Sequence, residues 1–228
     1  MKTLVLPEKA HFSKKRPPNN LAKVCPLLEK LVVGHAGHLA DEQLVVLPNH
    51  FPHLTKIRFD MWKVTNIGIL SFAENMADHL LDLRIKGDTR IKGDTIEPPR
   101  EYLSDSTLID IASVCPNLER FDYWISPQCY EVEHDRLSEI GVMALLRSCT
   151  KLKHLLLVNM TKVGLAAFEL IASANGSHLR HLDVEGVPCL FGSTNADHVR
   201  SRLEEHIEET IITSHLLRSH RFFEWFYN

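Results

Sequence analysis

The segment "LIDIASVCPNLERFDY" at residues 108–123 carries the two patterns that decide the fold. In its second half, Leu118 is followed by Phe121 and Tyr123, which are two residues apart and therefore fall on one face of a short strand. In its first half, apolar residues recur at helical spacing. The segment therefore predicts a helix that leads into a short β-strand.

The strand half of this pattern occurs six times. Every copy has an apolar residue at its fourth, seventh and ninth places, and the fourth-place leucines are separated by 26, 26, 38, 34 and 27 residues. The copies are "CPLLEKLVV" (25–33), "FPHLTKIRF" (51–59), "ADHLLDLRI" (77–85), "CPNLERFDY" (115–123), "CTKLKHLLL" (149–157) and "GSHLRHLDV" (176–184). Recurrence at such a period is typical of a repeat architecture.

A helix-start pattern recurs between the strands. Each copy begins with an apolar residue, the second place is mostly Thr or Ser, and the third place is mostly a carboxylate. The copies are "LADEQL" (39–44), "VTNIGI" (64–69), "LSDSTL" (103–108), "LSEIGV" (137–142) and "MTKVGL" (160–165). The hydroxyl can cap the first N–H groups of a helix, and the acid favours the positive end of its dipole. One strand-turn-helix unit cannot bury its own apolar face, so stacked units predict a solenoid with parallel strands inside and helices outside.

These repeats resemble the cysteine-containing leucine-rich repeats of F-box leucine-rich-repeat proteins and of their relatives that lack an F-box. The resemblance is strongest in "CPLLEKLVV", "LIDIASVCPNLERFDY" and "LLRSCTKLKHLLLVNMTKVG". It implies an α/β leucine-rich-repeat solenoid of about six repeats over residues 21–190. We expect an N-terminal tail at residues 1–20, and a capping helix with an aromatic tail at residues 191–228.

The resemblance also implies, for members that carry an F-box, docking to a ubiquitin-ligase adaptor. Only 20 residues precede Leu21, and they include "KKRPPNN". We expect this stretch to be too short for a helical F-box, so the ligase role is not carried over to this chain.

Three cysteines, Cys25, Cys115 and Cys149, occupy the first place of a strand segment. Phe51 and Ala77 fill the same place in other copies, so the position does not require thiol chemistry. We expect buried packing for these side chains rather than a metal or catalytic site.

Two segments make their repeats longer than the others: "RIKGDTRIKGDTIEPPREY" (84–102) and "WISPQCYEVEHDR" (124–136). The first contains the same six residues twice. Its glycines lack the Gly-x-Gly spacing of a phosphate-binding loop. Two interpretations remain open, a tolerant surface loop that was duplicated and a hairpin-like flap used for binding. Because the segments follow neighbouring strands, we expect residues 86–101 and 124–136 to lie on one edge and to be near each other.

Composition narrows the class of function. The net charge of −3 lacks the excess of basic residues that is typical of nucleic-acid-binding proteins. The sequence also has no apolar run of the ~18 residues that a helix needs to span a bilayer. Five cysteines at irregular spacing favour a reducing compartment, so we expect an intracellular location, cytoplasmic or nuclear, without excluding an organelle. The fourteen histidines are scattered, and no catalytic set recurs. We therefore predict no enzyme, no cofactor and no metal.

The concave face is the candidate binding surface. The strand residues between the apolar ones point away from the predicted core, and many of them are charged. A solvated face and a strip for an acidic or mixed-charge protein segment are both open. The candidate protein-binding residues are Lys30, Lys56, Arg58, Arg84, Arg120, Asp122, His154, His181, Trp124, Trp225 and Phe226.

The C-terminal region is predicted to begin with a helix capped by Thr194 or Asn195. Its apolar stripe would cover the open end of the solenoid and comprises Val199, Leu203, Ile207 and Ile211. The last seven residues, "FFEWFYN", hold five aromatics, which would either fold back on this cap or anchor another chain.

The sequence thus predicts a non-enzymatic module that binds protein partners through its concave face, its loop edge and its C-terminal tail. Two alternatives remain: a structural subunit of a large assembly, and a substrate-recognition component of a ubiquitin ligase.

Overall fold

The computed structural model describes residues 2–6, 19–34, 39–87, 90–92, 95–97, 101–125, 137–173 and 178–214. Within these residues, strands alternate with helices along the chain. The strands are β1 Thr3–Leu6, β2 Lys30–Val33, β3 Lys56–Asp60, β4 Asp82–Gly87, β5 Arg90–Lys92, β6 Thr95–Glu97, β7 Arg120–Ile125, β8 His154–Val158, β9 His181–Glu185 and β10 Glu209–Thr213. The helices are α1 Asn19–Val24, α2 Asp41–His50, α3 Asn66–Met76, α4 Asp105–Val114, α5 Glu139–Ser148, α6 Leu165–Ala172 and α7 Thr194–His206.

Eight of the described strands form one parallel sheet in the order β1-β2-β3-β4-β7-β8-β9-β10. The six strands that the repeats predict lie in it side by side, so the prediction of a single parallel sheet is confirmed. Each predicted strand begins two residues later than its fourth-place leucine and is followed by a helix on the outside of the sheet. The fold is a leucine-rich-repeat solenoid of the α/β class.

The core follows the predicted apolar register. The seventh-place residues stand next to each other across the sheet and are all almost fully buried, as are the fourth-place leucines beneath them. The seventh-place row is Leu31, Ile57, Leu83, Phe121, Leu155 and Leu182. Each repeat therefore buries its apolar face against its neighbours, as a solenoid requires.

Both ends of the sheet differ from the prediction. β1 lies in the predicted tail and pairs with β2, and β10 lies after α7 and pairs with β9. The cap of α7 is Ser193, and the helix ends at His206, so the predicted helical stripe through Ile211 is wrong. The β-branched run "TIIT" at residues 210–213 favours a strand, and pairing to β9 satisfies its backbone.

The helix caps follow the predicted pattern in three repeats. Thr65, Ser104 and Ser138 each accept a hydrogen bond from a backbone N–H of the helix that they begin. In the "MTKVGL" copy, α6 begins only at Leu165, behind Gly164 rather than behind Thr161. There the carboxylate of Glu139 in the preceding repeat accepts the Gly164 N–H at 3.2 Å, so a hydroxyl cap is not required.

The three repeat cysteines pack as predicted. Cys25, Cys115 and Cys149 are free and buried. The Cys149 thiol lies 3.4 Å from the carbonyl oxygen of Cys115. Burial raises the pKa of Cys115 and of Cys149 to about 12, so both stay neutral thiols and are poor nucleophiles.

The duplicated segment contributes to two different sheets. The first "RIKG" copy completes β4, which runs two residues further than the repeat pattern indicates. The second copy begins with β5, which pairs antiparallel with β6 outside the main sheet. The backbone of the second copy thus has the hairpin-like form. Most of the residues in the predicted contact between 86–101 and 124–136 lie outside the described part of the chain.

Candidate interaction surface on the concave face

Alternation along the strands places three rows of side chains on the concave face. The register aligns them from strand to strand. The first row is Lys30, Lys56, Asp82, Arg120, His154, His181 and Glu209. The second row is Val32, Arg58, Arg84, Asp122, Leu156, Asp183 and Ile211. The third row is Asp60, Lys86, Trp124, Val158, Glu185 and Thr213.

An ion-pair network joins the first and second rows at the centre of the face. The Arg84 guanidinium donates to both carboxylate oxygens of Asp82, at 2.8 and 2.9 Å. Arg120 Nε lies 3.1 and 3.0 Å from the two oxygens of Asp122, and Arg84 Nε lies 3.6 Å from one of them. Bidentate pairing of this kind fixes the geometry of both partners.

This network is buried. Asp122 has no exposed surface, and Arg58 and Arg84 are exposed by only 4% and 8%. The alternation predicts that these three side chains point away from the core, and the register places them on the concave face. They are nevertheless buried there rather than solvated.

Burial shifts the pKa values of Asp122 and Arg58. It raises the pKa of Asp122 to about 6, although Arg120 and Arg84 partly oppose the shift. Burial and repulsion from Arg84 lower the pKa of Arg58 to about 9. In both side chains, burial disfavours the charged form.

A histidine pair continues the first row. The rings of His154 and His181 stack with their centroids 4.2 Å apart, and His181 Nδ1 lies 2.8 Å from a carboxylate oxygen of Glu209. Burial and repulsion from Arg120 and His181 lower the pKa of His154 to about 4. Both rings are half-buried, so their outer edges form part of the surface.

A lysine-tryptophan contact crosses the third row. The Lys86 ammonium lies 4.6 Å from the centroid of the Trp124 ring, within the range of a cation–π interaction. Lys86 is 1% exposed, whereas Trp124 is half-buried.

The accessible cations lie near the N-terminal end of the first row. Lys56 is exposed, Lys30 is half-buried, and the Arg120 side chain keeps 30% of its surface. Burial lowers the pKa of Lys30, and repulsion from Arg84 contributes. These side chains, with His154, His181 and Trp124, form the accessible part of the predicted site.

Two predicted residues, Trp225 and Phe226, lie outside the described residues, as does the rest of the "FFEWFYN" segment. The third row also brings in Asp60, Lys86 and Glu185, which the sequence pattern does not single out. They could be found by extending each strand one residue beyond its ninth place. β10 adds Glu209, which the sequence pattern placed in the predicted C-terminal helix rather than in a strand.

In the described parts of the chain, no group of His, Cys, Asp and Glu side chains could hold a metal ion. Among the described helices, none has the length and apolar character needed to cross a bilayer.

Fold and surface together define the class as a leucine-rich-repeat solenoid with a polar concave face. No protein-family model and no curated protein matches the chain. Among solved structures it is similar to a chain of the crystal structure described as the Rad7 and Elc1 complex in yeast, at 17% sequence identity and a TM-score of 0.61. The match covers 86% of this chain and 48% of that chain, so this chain corresponds to about half of its structural neighbour. At this identity the likeness concerns the fold.

Proposed function

We propose that this chain is a non-enzymatic module that binds a partner protein across its concave face. The observation that carries the proposal is the first row, in which half-buried or exposed polar side chains continue from Lys30 to Glu209, interrupted only by the buried Asp82. Such a row offers hydrogen-bond donors and acceptors along the length of the sheet. A concave, continuous and polar strip suits a protein segment better than a small molecule.

The structural comparison supports an interaction role. The similar chain comes from a structure described as a complex of two proteins, Rad7 and Elc1. Binding to another protein is therefore compatible with this fold. The loop edge and the C-terminal tail remain proposed secondary contacts, and an intracellular location remains a prediction.

A substitution in the middle of the face tests the proposal. Leu156 is half-buried in the second row, so Leu156→Arg adds a bulky charge where a partner would lie. Leu27 is 57% exposed and outside the three rows, so Leu27→Arg is the matched control. Tagged wild-type protein and both variants are expressed in cells, and co-purified proteins are quantified by mass spectrometry.

We expect Leu156→Arg to lose a defined set of co-purified proteins that Leu27→Arg retains. Equal recovery of these proteins with both variants would contradict binding through the concave face. The identity of the lost proteins separates the narrower functions: a ligase adaptor supports a substrate-recognition component, and a fixed stoichiometric complex supports a structural subunit.

A further inference from the structure

The concave face is divided by charge. Its positions in β2, β3, β4 and β7 carry six cations against three carboxylates, and we name this region the basic half. The cations are Lys30, Lys56, Arg58, Arg84, Lys86 and Arg120, and the carboxylates are Asp60, Asp82 and Asp122.

The remaining strands have the opposite sign. The concave positions of β8, β9 and β10 carry the carboxylates of Asp183, Glu185 and Glu209, together with His154 and His181. These nine positions hold neither lysine nor arginine. We name this region the acidic half.

The ion pairs at the centre of the face do not cancel the division. The pairs of Arg84 with Asp82 and of Arg120 with Asp122 lie entirely within the basic half, so they leave its net positive charge unchanged. At the other end of the face, Glu209 contacts a histidine rather than a lysine or arginine.

The pKa values of side chains within and next to the basic half are affected by its excess of positive charge. The pKa of Lys30 is lowered first by burial and then by repulsion from Arg84, with further repulsion from Lys56 and Arg58, while Asp82 opposes it. The pKa of His154, at the boundary, is lowered by burial and by repulsion from Arg120. An anion over Lys30 and Lys56 would therefore relieve this repulsion.

We propose that the concave face binds an extended protein segment with two charged ends, its acidic residues over Lys30 and Lys56 and its basic residues over Asp183 and Glu209. This inference rests on the proposed function, because it specifies the chemistry and the orientation of the partner segment on the same surface. Complementary charges at both ends would fix the register of the segment and disfavour segments of a single sign.

The geometry of the sheet sets the spacing of the two ends. Lys56 on β3 and Glu209 on β10 are both exposed, and five strand intervals separate them. Neighbouring strands are ~4.8 Å apart, so the interval is about 24 Å, which an extended chain spans with about seven residues. The centres of the acidic and basic groups of the partner should therefore be about seven residues apart.

Two designed peptides of equal composition test the division. The segregated probe is a fluorescein-labelled Glu-Glu-Glu-Gly-Ser-Gly-Ser-Lys-Lys-Lys peptide, and its control contains the same residues with Glu and Lys alternating. Binding to the full chain is measured by fluorescence anisotropy at low ionic strength, where exposed charges are least screened. We expect the segregated peptide to bind at least about fivefold more tightly, and its affinity to fall steeply with salt.

Single charge reversals at exposed positions locate the two ends. Lys56→Glu and Glu209→Lys should each weaken the segregated peptide by about fivefold. Lys23→Glu, an exposed reversal on α1 outside the face, should leave the affinity unchanged. Circular dichroism verifies folding, and the milder Lys56→Gln and Glu209→Gln variants should show the same order of effects.

The outcomes separate this inference from the proposed function. Equal affinity for the two peptides, absence of binding, or equal effects of Lys56→Glu and Lys23→Glu would overturn the charge division. If Leu156→Arg still abolishes partner recovery, the proposed function stands while the division fails. If Leu156→Arg leaves partner recovery intact, the proposed function itself fails, whatever the peptides do.

Discussion

The carboxylate of Asp105, the first residue of α4, is bound to Ser138, the cap of the next helix. One oxygen accepts the Ser138 backbone N–H at 2.8 Å, and the other accepts its hydroxyl at 2.6 Å. Two repeats earlier, Asp41 at the start of α2 holds Thr65, the cap of α3, in the same way, at 2.8 and 2.7 Å. The acid that favours its own helix dipole thus also fastens the start of the following helix.

Loss of this contact should destabilise the solenoid. Asp105→Ala leaves the Ser138 N–H and hydroxyl without their acceptor at a partly buried site, and we expect a loss of about 1–3 kcal/mol in the free energy of unfolding. Asp110 lies exposed on the same helix, so Asp110→Ala is the control. Urea denaturation measures both. An equal, small effect for the two variants would refute the role of Asp105 between repeats.

The glycine of the helix-start pattern belongs to the same contact. The N–H of Gly141 donates to Asp105 at 3.1 Å, and a Cβ at Gly141 would lie 2.6 Å from that carboxylate oxygen. Gly141→Ala should therefore destabilise the protein, although alanine is the better helix former. An increase in the urea midpoint would show that the acid can move aside at little cost.

The core leucines test the register. Leu118 and Leu155 are 0% and 1% exposed, so Leu→Ala at either should cost roughly 2–5 kcal/mol. Because each repeat contacts its neighbours, amide hydrogen exchange should also quicken in the adjacent repeats. Leu27→Ala, at an exposed position, should leave the urea midpoint unchanged. A core variant with the wild-type midpoint would argue against the assigned repeats.

The sequence predicts what is periodic and local. The apolar triplets specify the six inner strands and their parallel order, because a one-residue shift would turn every apolar side chain outward. The helix caps at Thr65, Ser104 and Ser138 follow from residue type. The glycines at the same place of "VTNIGI" and "LSEIGV" would have been a further signal, because the acid of the preceding repeat approaches each of them closely.

Features that depend on neighbours could not be predicted. β1 and β10 belong to the sheet because each pairs with an adjacent strand, and neither carries the repeat pattern. The burial of Arg58, Arg84 and Asp122 likewise depends on the side chains of other strands. From the sequence alone, these three look like ordinary surface charges.

The buried Asp122 should make stability depend on pH. Its pKa is raised from 3.8 to about 6 by burial, so the folded state binds a proton at a pH where the unfolded state does not. Its contribution is fully present below about pH 4 and is lost as pH rises through about 6. The stability of the wild type relative to Asp122→Asn should therefore increase as pH falls from 7 to 4. Urea denaturation across this range measures the difference, and a decrease would contradict the shift.

The contribution of His154 to stability should depend on pH in the opposite direction. Its pKa is lowered from 6.5 to about 4, so its contribution is present above about pH 6.5 and is lost as pH falls through about 4. The stability of the wild type relative to His154→Gln should decrease over that range. In an NMR titration of the ring, Arg120→Gln should raise the pKa of His154, because it removes a repelling charge. An unchanged midpoint would show that Arg120 contributes little and that the other causes, burial first, lower the pKa of His154.

The duplicated segment should be dispensable for folding. Deletion of residues 90–95 removes β5, which pairs only with β6 among the described strands, and leaves β4 intact in the main sheet. Closing a shorter loop changes the free energy only logarithmically, so we expect stability within about 1 kcal/mol of the wild type. Thermal and urea unfolding measure it, with the Leu118→Ala variant as a destabilised reference. A loss as large as that of Leu118→Ala would mean that the second copy supports the solenoid. Unchanged stability with reduced recovery of the partner proteins would instead assign it to binding.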